Sequence, residues 1–72
     1  MSWIKYDSTR ADWLEAGDTV RYGTMVLCLT HVDDTINPNN VLLRGNDEMD
    51  DDIEIFIPAD ENVALVYWNY ED

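Results

Sequence analysis

Ile53-Glu54-Ile55-Phe56-Ile57, followed by Pro58-Ala59-Asp60-Glu61-Asn62 and then Val63-Ala64-Leu65-Val66-Tyr67-Trp68, decides what kind of chain this is. The first stretch alternates at period two. That is the pattern of a strand with one buried face, so Ile53, Ile55 and Ile57 are expected towards a core and Glu54 and Phe56 away from it. The proline and polar residues that follow predict one turn, of 3₁₀ type, before another strand. That last strand is apolar on both sides, with Val63, Leu65 and Tyr67 on one and Ala64, Val66, Trp68 and Tyr70 on the other. One side therefore needs a cover: the N-terminal segment, a second copy of the chain, or a partner.

Working back towards the N-terminus, Val41-Leu42-Leu43-Arg44 predicts another strand, and Gly45 to Asp51 an acidic loop. Asp33 to Asn40 is dense in turn formers, and Pro38 restricts Asn37 as well, which makes this stretch a loop. Met25 to Val32 is apolar on both faces at its middle, as a central strand should be. Thr19-Val20-Arg21-Tyr22 precedes it, opened by Gly17-Asp18 and closed by the tight turn Gly23-Thr24. Residues 1–17 admit two forms. Thr9-Arg10-Ala11-Asp12 loosely fits a capping box for a short helix over Arg10 to Ala16, with Trp13 and Leu14 inward, while residues 2–6 alternate well enough for an extra edge strand.

Five short strands, a wide loop between the second and third, and one turn of 3₁₀ helix before the last resemble the SH3-like small barrel. The resemblance covers about residues 14–68 and rests on Leu14-Glu15-Ala16-Gly17-Asp18-Thr19-Val20 and on Ile57-Pro58-Ala59-Asp60-Glu61-Asn62-Val63. It implies a mainly β chain forming one small antiparallel five-stranded barrel, with residues 1–17 packed on it, strands over 18–70 and an acidic tail at 71–72. Proteins with this fold serve as phage accessory proteins, nucleic-acid modules and interaction modules, so the likeness selects no function. Its peptide-binding members carry aromatics in their first long loop, and Asp33 to Asn40 has none, which speaks against proline-rich ligands.

Seventy-two residues allow a single core, and 46% hydrophobic residues with three Trp and four Tyr argue for a folded chain. A lone cysteine, Cys28, excludes an internal disulfide and a cysteine-based zinc site, and points to a reducing, cytoplasmic setting. No apolar run approaches the roughly 20 residues that span a bilayer, and the first residues lack a signal-peptide core, so neither a membrane nor secretion is expected.

Charge is the most distinctive property: 16 acids against 4 bases give −12. Residues 1–44 hold every base and six acids, net −2; residues 45–72 hold ten acids and no base, net −10. Three explanations compete. Acidity can serve solubility alone; it can reflect salt adaptation, which the 11 Asp against 5 Glu and the single Lys5 suggest but the clustering in one half opposes; or it can imitate the charge of a nucleic acid. Direct contact with phosphate backbones is disfavoured, because this half repels them.

A calcium loop starting at Asp33 meets Pro38 at its sixth position and Arg44 at its twelfth, and one starting at Asp47 meets Asp52 and Pro58, so neither fits. His31 and Cys28 are three apart in a strand, which predicts opposite faces and no dyad. Three glycines write no phosphate cradle. No enzyme, metal or cofactor is expected. The expectation is a non-catalytic acidic binding protein that meets a basic protein surface through Asp47, Glu48, Asp50, Asp51, Asp52, Glu54, Asp60 and Glu61, with Phe56 as an apolar anchor. Carboxylates two apart on an extended segment, as Asp50, Asp52 and Glu54 would be, lie about 6.6 Å apart, near the spacing of phosphates along one strand. In size, charge and lack of catalytic motif the chain is similar to small acidic phage proteins that inhibit nucleic-acid enzymes, which implies a nucleic-acid-binding host protein as partner and the host cytoplasm as location. The alternative is an assembly module of a virion or complex that oligomerises through its last strand.

Overall fold

The computed structural model describes residues 1–35 and 37–71, and in them six strands form: β1 (Ser2–Arg10), β2 (Thr19–Tyr22), β3 (Met25–Asp34), β4 (Asn40–Asn46), β5 (Asp52–Pro58) and β6 (Asn62–Asn69). They make one sheet in the order β1-β6-β2-β3-β4-β5 with every neighbouring pair antiparallel. Strand β2 has the bounds its flanking glycines predict. Gly23, at φ +64, opens its two-residue turn into β3, as the first central position of a type II′ hairpin requires. Strand β3 lies inside the sheet between β2 and β4, as its two-sided apolar centre predicts.

Alternation assigns the faces. Val20, Leu27, Leu29, Val41, Leu43, Ile57 and Val63 bury one face together with Ala11 and Leu14, and Ile53, Ile55 and Leu65 pack against them half-buried. This inner face is the core. Val26 and Val66 are buried as well but stand outside that cluster. A bulge at Thr30 separates the pair Leu29↔Gly45 from His31↔Arg44. Gly45 is required there, because a Cβ would run into the Cys28 carbonyl.

Several expectations need correction. The strands number six rather than five among the described residues, and the sheet is open rather than closed into a barrel. Strand β6 carries β1 on one edge and β2 on the other, so it has no edge left with which to close on β5.

The helix over Arg10 to Ala16 does not form. Residues 2–10 extend along β6, beyond the 2–6 admitted for an edge strand, and only a single 3₁₀ turn follows at Ala11–Trp13, flanked by extended Arg10 and Leu14. A two-turn helix has a costly nucleus and few bonds to offset it, whereas here the Ala11 and Asp12 amides donate to the Glu61 and Ala59 carbonyls at 2.9 and 3.0 Å. Leu14 is buried as expected, but Trp13 is 68% exposed, beneath the Arg10 guanidinium at 5.5 Å.

The 3₁₀ turn also falls elsewhere than between β5 and β6. That connection is a β-turn closed by the Glu61 amide on the Pro58 carbonyl at 3.0 Å.

Strand ends differ too: Asp33 and Asp34 belong to β3, Asn40 to β4, and Gly45 and Asn46 to β4 rather than to the acidic loop. Ile36 of the expected loop and Asp72 of the expected tail lie outside the described residues.

Candidate acidic interface

The β4–β5 hairpin builds the site. Its closing pair is Asn46↔Asp52, with the Asn46 side-chain amide donating to Asp52 Oδ1 at 2.9 Å. Asp47 organises the loop itself. Its Oδ1 accepts from the amides of Met49 and Asp51, both at 2.9 Å, while its own amide donates to the Asp51 carbonyl and its carbonyl accepts from the Asp50 amide, both at 3.1 Å. Asp50 adopts φ +63, a conformation that Asp tolerates better than most side chains. The carboxylate of Asp47 is thereby turned onto the loop backbone, and those of Glu48, Asp50 and Asp51 stand exposed with no side-chain partner among the described residues.

Along β5 the outer face carries Asp52, Glu54 and Phe56 opposite Asn46, Arg44 and Leu42 of β4. Glu54 meets Arg44 at 3.2 Å, and both side chains remain about half exposed, so the pair contributes little stability but cancels one charge of the row. Phe56 is 67% exposed, and neither the N-terminal segment nor Trp68 covers it. With Leu42, Asp34, Thr35, Asn37 and Asn40 it lines a shallow apolar cavity of about 450 Å³.

The nine predicted residues do not form one patch. Asp47 to Glu54 and Phe56 share one hairpin, whereas Asp60 and Glu61 lie past the far end of β5, about 20 Å away at roughly 3.3 Å per residue. There Asp60 faces Arg10, whose guanidinium is bound by Asp12 at 3.0 Å. The hydrogen bond from Arg10 holds the Asp12 carboxyl below the usual carboxylate range, and the same bond raises Arg10. The even spacing expected for Asp50, Asp52 and Glu54 holds only for the last two, since Asp50 is left-handed and lies outside the strand. Asp33 and Asp34, expected in the loop, lie on β3 opposite Leu42 and Val41, and Asp34 adds acid to the cavity.

The expectation for Cys28 and His31 is also corrected. The bulge at Thr30 restores both to one face, opposite Asn46 and Arg44. They still make no dyad: Thr19 Oγ1 donates to the Cys28 sulfur at 3.7 Å, and His31 Nδ1 contacts Thr30 Oγ1 at 3.0 Å. Among the described residues no group of three or more His, Cys, Asp or Glu could hold a metal ion, and no helix is long and apolar enough to cross a membrane.

At the opposite edge, Trp3 packs edge-on against Trp68 at 5.1 Å and Trp68 against Tyr70 at 6.2 Å, while Tyr6 tilts against Tyr67 at 6.0 Å. The buried Trp3 Nε1 has no acceptor among the described residues. Comparison with protein-family models, curated proteins and solved structures gives no match.

Proposed function

We propose that this protein is a non-catalytic acidic binding module that acts as an inhibitor or modulator by occupying a basic surface of a nucleic-acid-binding protein. The observation that carries the proposal is the β4–β5 tip, where Glu48, Asp50 and Asp51 are all exposed to solvent within one short loop that Asp47 holds by its hydrogen bonds. A loop held by its own hydrogen bonds presents its charges at little entropic cost, and such a field speeds encounter with a cationic partner and rejects anionic ones. Phe56 supplies an adjacent apolar anchor. Asp60 and Glu61, beyond the far end of β5, belong to the same surface only if the partner is wide.

The strand order β6-β2-β3-β4-β5, in which the last strand returns beside the first of the five, supports a likeness to SH3-like folds, with β1 as an addition. On this proposal the protein works in the cytoplasm, that of a host if a phage encodes it.

The test is retention from a cell lysate on the immobilised protein. Basic nucleic-acid-binding proteins should be retained and then released by salt, and a Glu48→Gln/Asp50→Asn/Asp51→Asn variant should lose them while keeping its fold. Retention indifferent to both salt and substitution would reject the proposal.

One observation favours assembly as a second function: Tyr6, Tyr67 and Tyr70 remain 59%, 48% and 76% exposed around β1 and β6. A stable high-order ring in size-exclusion chromatography with light scattering would select it.

A further inference from the structure

We infer that the free edge of β5 receives an extended basic segment of the partner as an added strand, rather than the partner meeting a charged surface alone. The inference rests on the proposed cationic partner and specifies how it is held.

Among the described residues β5 pairs only with β4, so the backbone groups along its other edge are unpaired with any strand. The two faces beside that edge ask for different side chains. On the outer face stand Asp52, Glu54 and Phe56, continuous with the acidic tip; on the inner face Ile53 and Ile55 are left half-buried at the open rim of the core. A strand laid beside β5 places alternate residues on these two faces. Basic residues on the outer side meet the carboxylates, and their aliphatic stems lie along Phe56. Apolar residues on the inner side cover Ile53 and Ile55. The segment that fits therefore alternates basic and apolar.

Charge argues against a second copy, whose own β5 would bring Asp52 and Glu54 against the same residues. Among the described residues the nearest backbone bond to another element at that end is from the Asp12 amide to the Ala59 carbonyl, just past the strand, so the open length is residues 52–57.

The probe is a peptide of about ten residues alternating lysine and valine, compared with the same peptide methylated on its backbone amides. The first should bind, and the methylated one should bind at least tenfold more weakly, because it keeps the charge and loses the ladder donors. Amides within residues 53–57 should exchange more slowly in the complex, and Phe56→Ser should weaken binding several-fold without unfolding the protein.

Equal binding of both peptides would overturn the added strand and leave a purely electrostatic partner. Binding of neither would also overturn it, while lysate retention would still decide the broader proposal. Concentration-dependent protection of residues 53–57 in the protein alone would assign the edge to a second copy, and the inference would fall.

Discussion

The two edges of this sheet are guarded by different means. At β1 the ladder to β6 slips between Lys5 and Asp7, leaving Tyr6 unpaired, and the strand carries charges of both signs in Lys5, Asp7 and Arg10. At β5 no register shift interrupts the pairing with β4 from Asn40↔Pro58 to Asn46↔Asp52, and the charges are carboxylates only. Bulges spoil an edge for every newcomer, whereas charge of one sign spoils it only for strands of the same sign. One edge is thus closed by shape, and the other is selective by charge.

That contrast can be attacked at several points. The largest effect is expected from Gly45→Ala, which strikes the strand on which β5 hangs. A methyl group against the Cys28 carbonyl should cost about 3 kcal/mol, read as a fall of more than about 10 °C in melting temperature. Trp68→Ala strikes the other edge by removing the contacts of Trp3 and Tyr70. Because Trp68 is only half-buried, about 2 kcal/mol is expected. If Trp68→Ala proves the costlier of the two, β1 rather than β4 anchors the sheet.

Next comes the guarding itself. Replacing Asp52 and Glu54 by Asn and Gln should raise self-association at least tenfold in sedimentation, equivalent to about 1.4 kcal/mol. Lys5→Gln should not raise it, because the slip at Tyr6 remains. The smallest effect concerns Asp12. Its folded carboxyl titrates below the unfolded one, so its stabilising contribution is complete above the unfolded value of about 3.9 and disappears as pH falls through the lower folded value. Asp12→Asn should melt slightly lower than the parent above about pH 4.5, with the difference closing as pH falls through the lower folded value. A gap independent of pH would show that the Arg10 contact contributes packing rather than charge.

The β5 edge was the more legible of the two in the sequence. Clean alternation in Ile53 to Ile57 fixes its faces, and the outward position of Phe56 follows from parity alone. The β1 edge was legible only over residues 2–6 and only as one of two forms, because its alternation ends at Tyr6, where the chain inserts a residue. Arg10 and Asp12 look like the start of a helix, yet they are bound to each other.

How the acidic residues are spread over the fold was hidden for a related reason. Acids near one another in sequence, such as Glu54 and Asp60, are carried apart by an intervening strand, while Arg44 comes to Glu54 only through the register of the hairpin. The role of Asp47 had a signal: an Asp at the head of a polar loop commonly folds its carboxylate onto amides two residues ahead. Gly45 had one as well, since a lone glycine among strand residues often marks a close backbone approach.

The position of β6 between β1 and β2 shapes how the molecule comes into being. Arg10 waits for Asn62, and Ser2 for Asn69, so β1 finds its place only after β6 is made. While the chain emerges from a ribosome, the hairpins from β2 through β5 can zip locally, but β1 with Trp3 and Tyr6 must trail unmatched until β6 arrives. A pause late in synthesis would therefore leave β1 without its partner strand, an opening for chaperones.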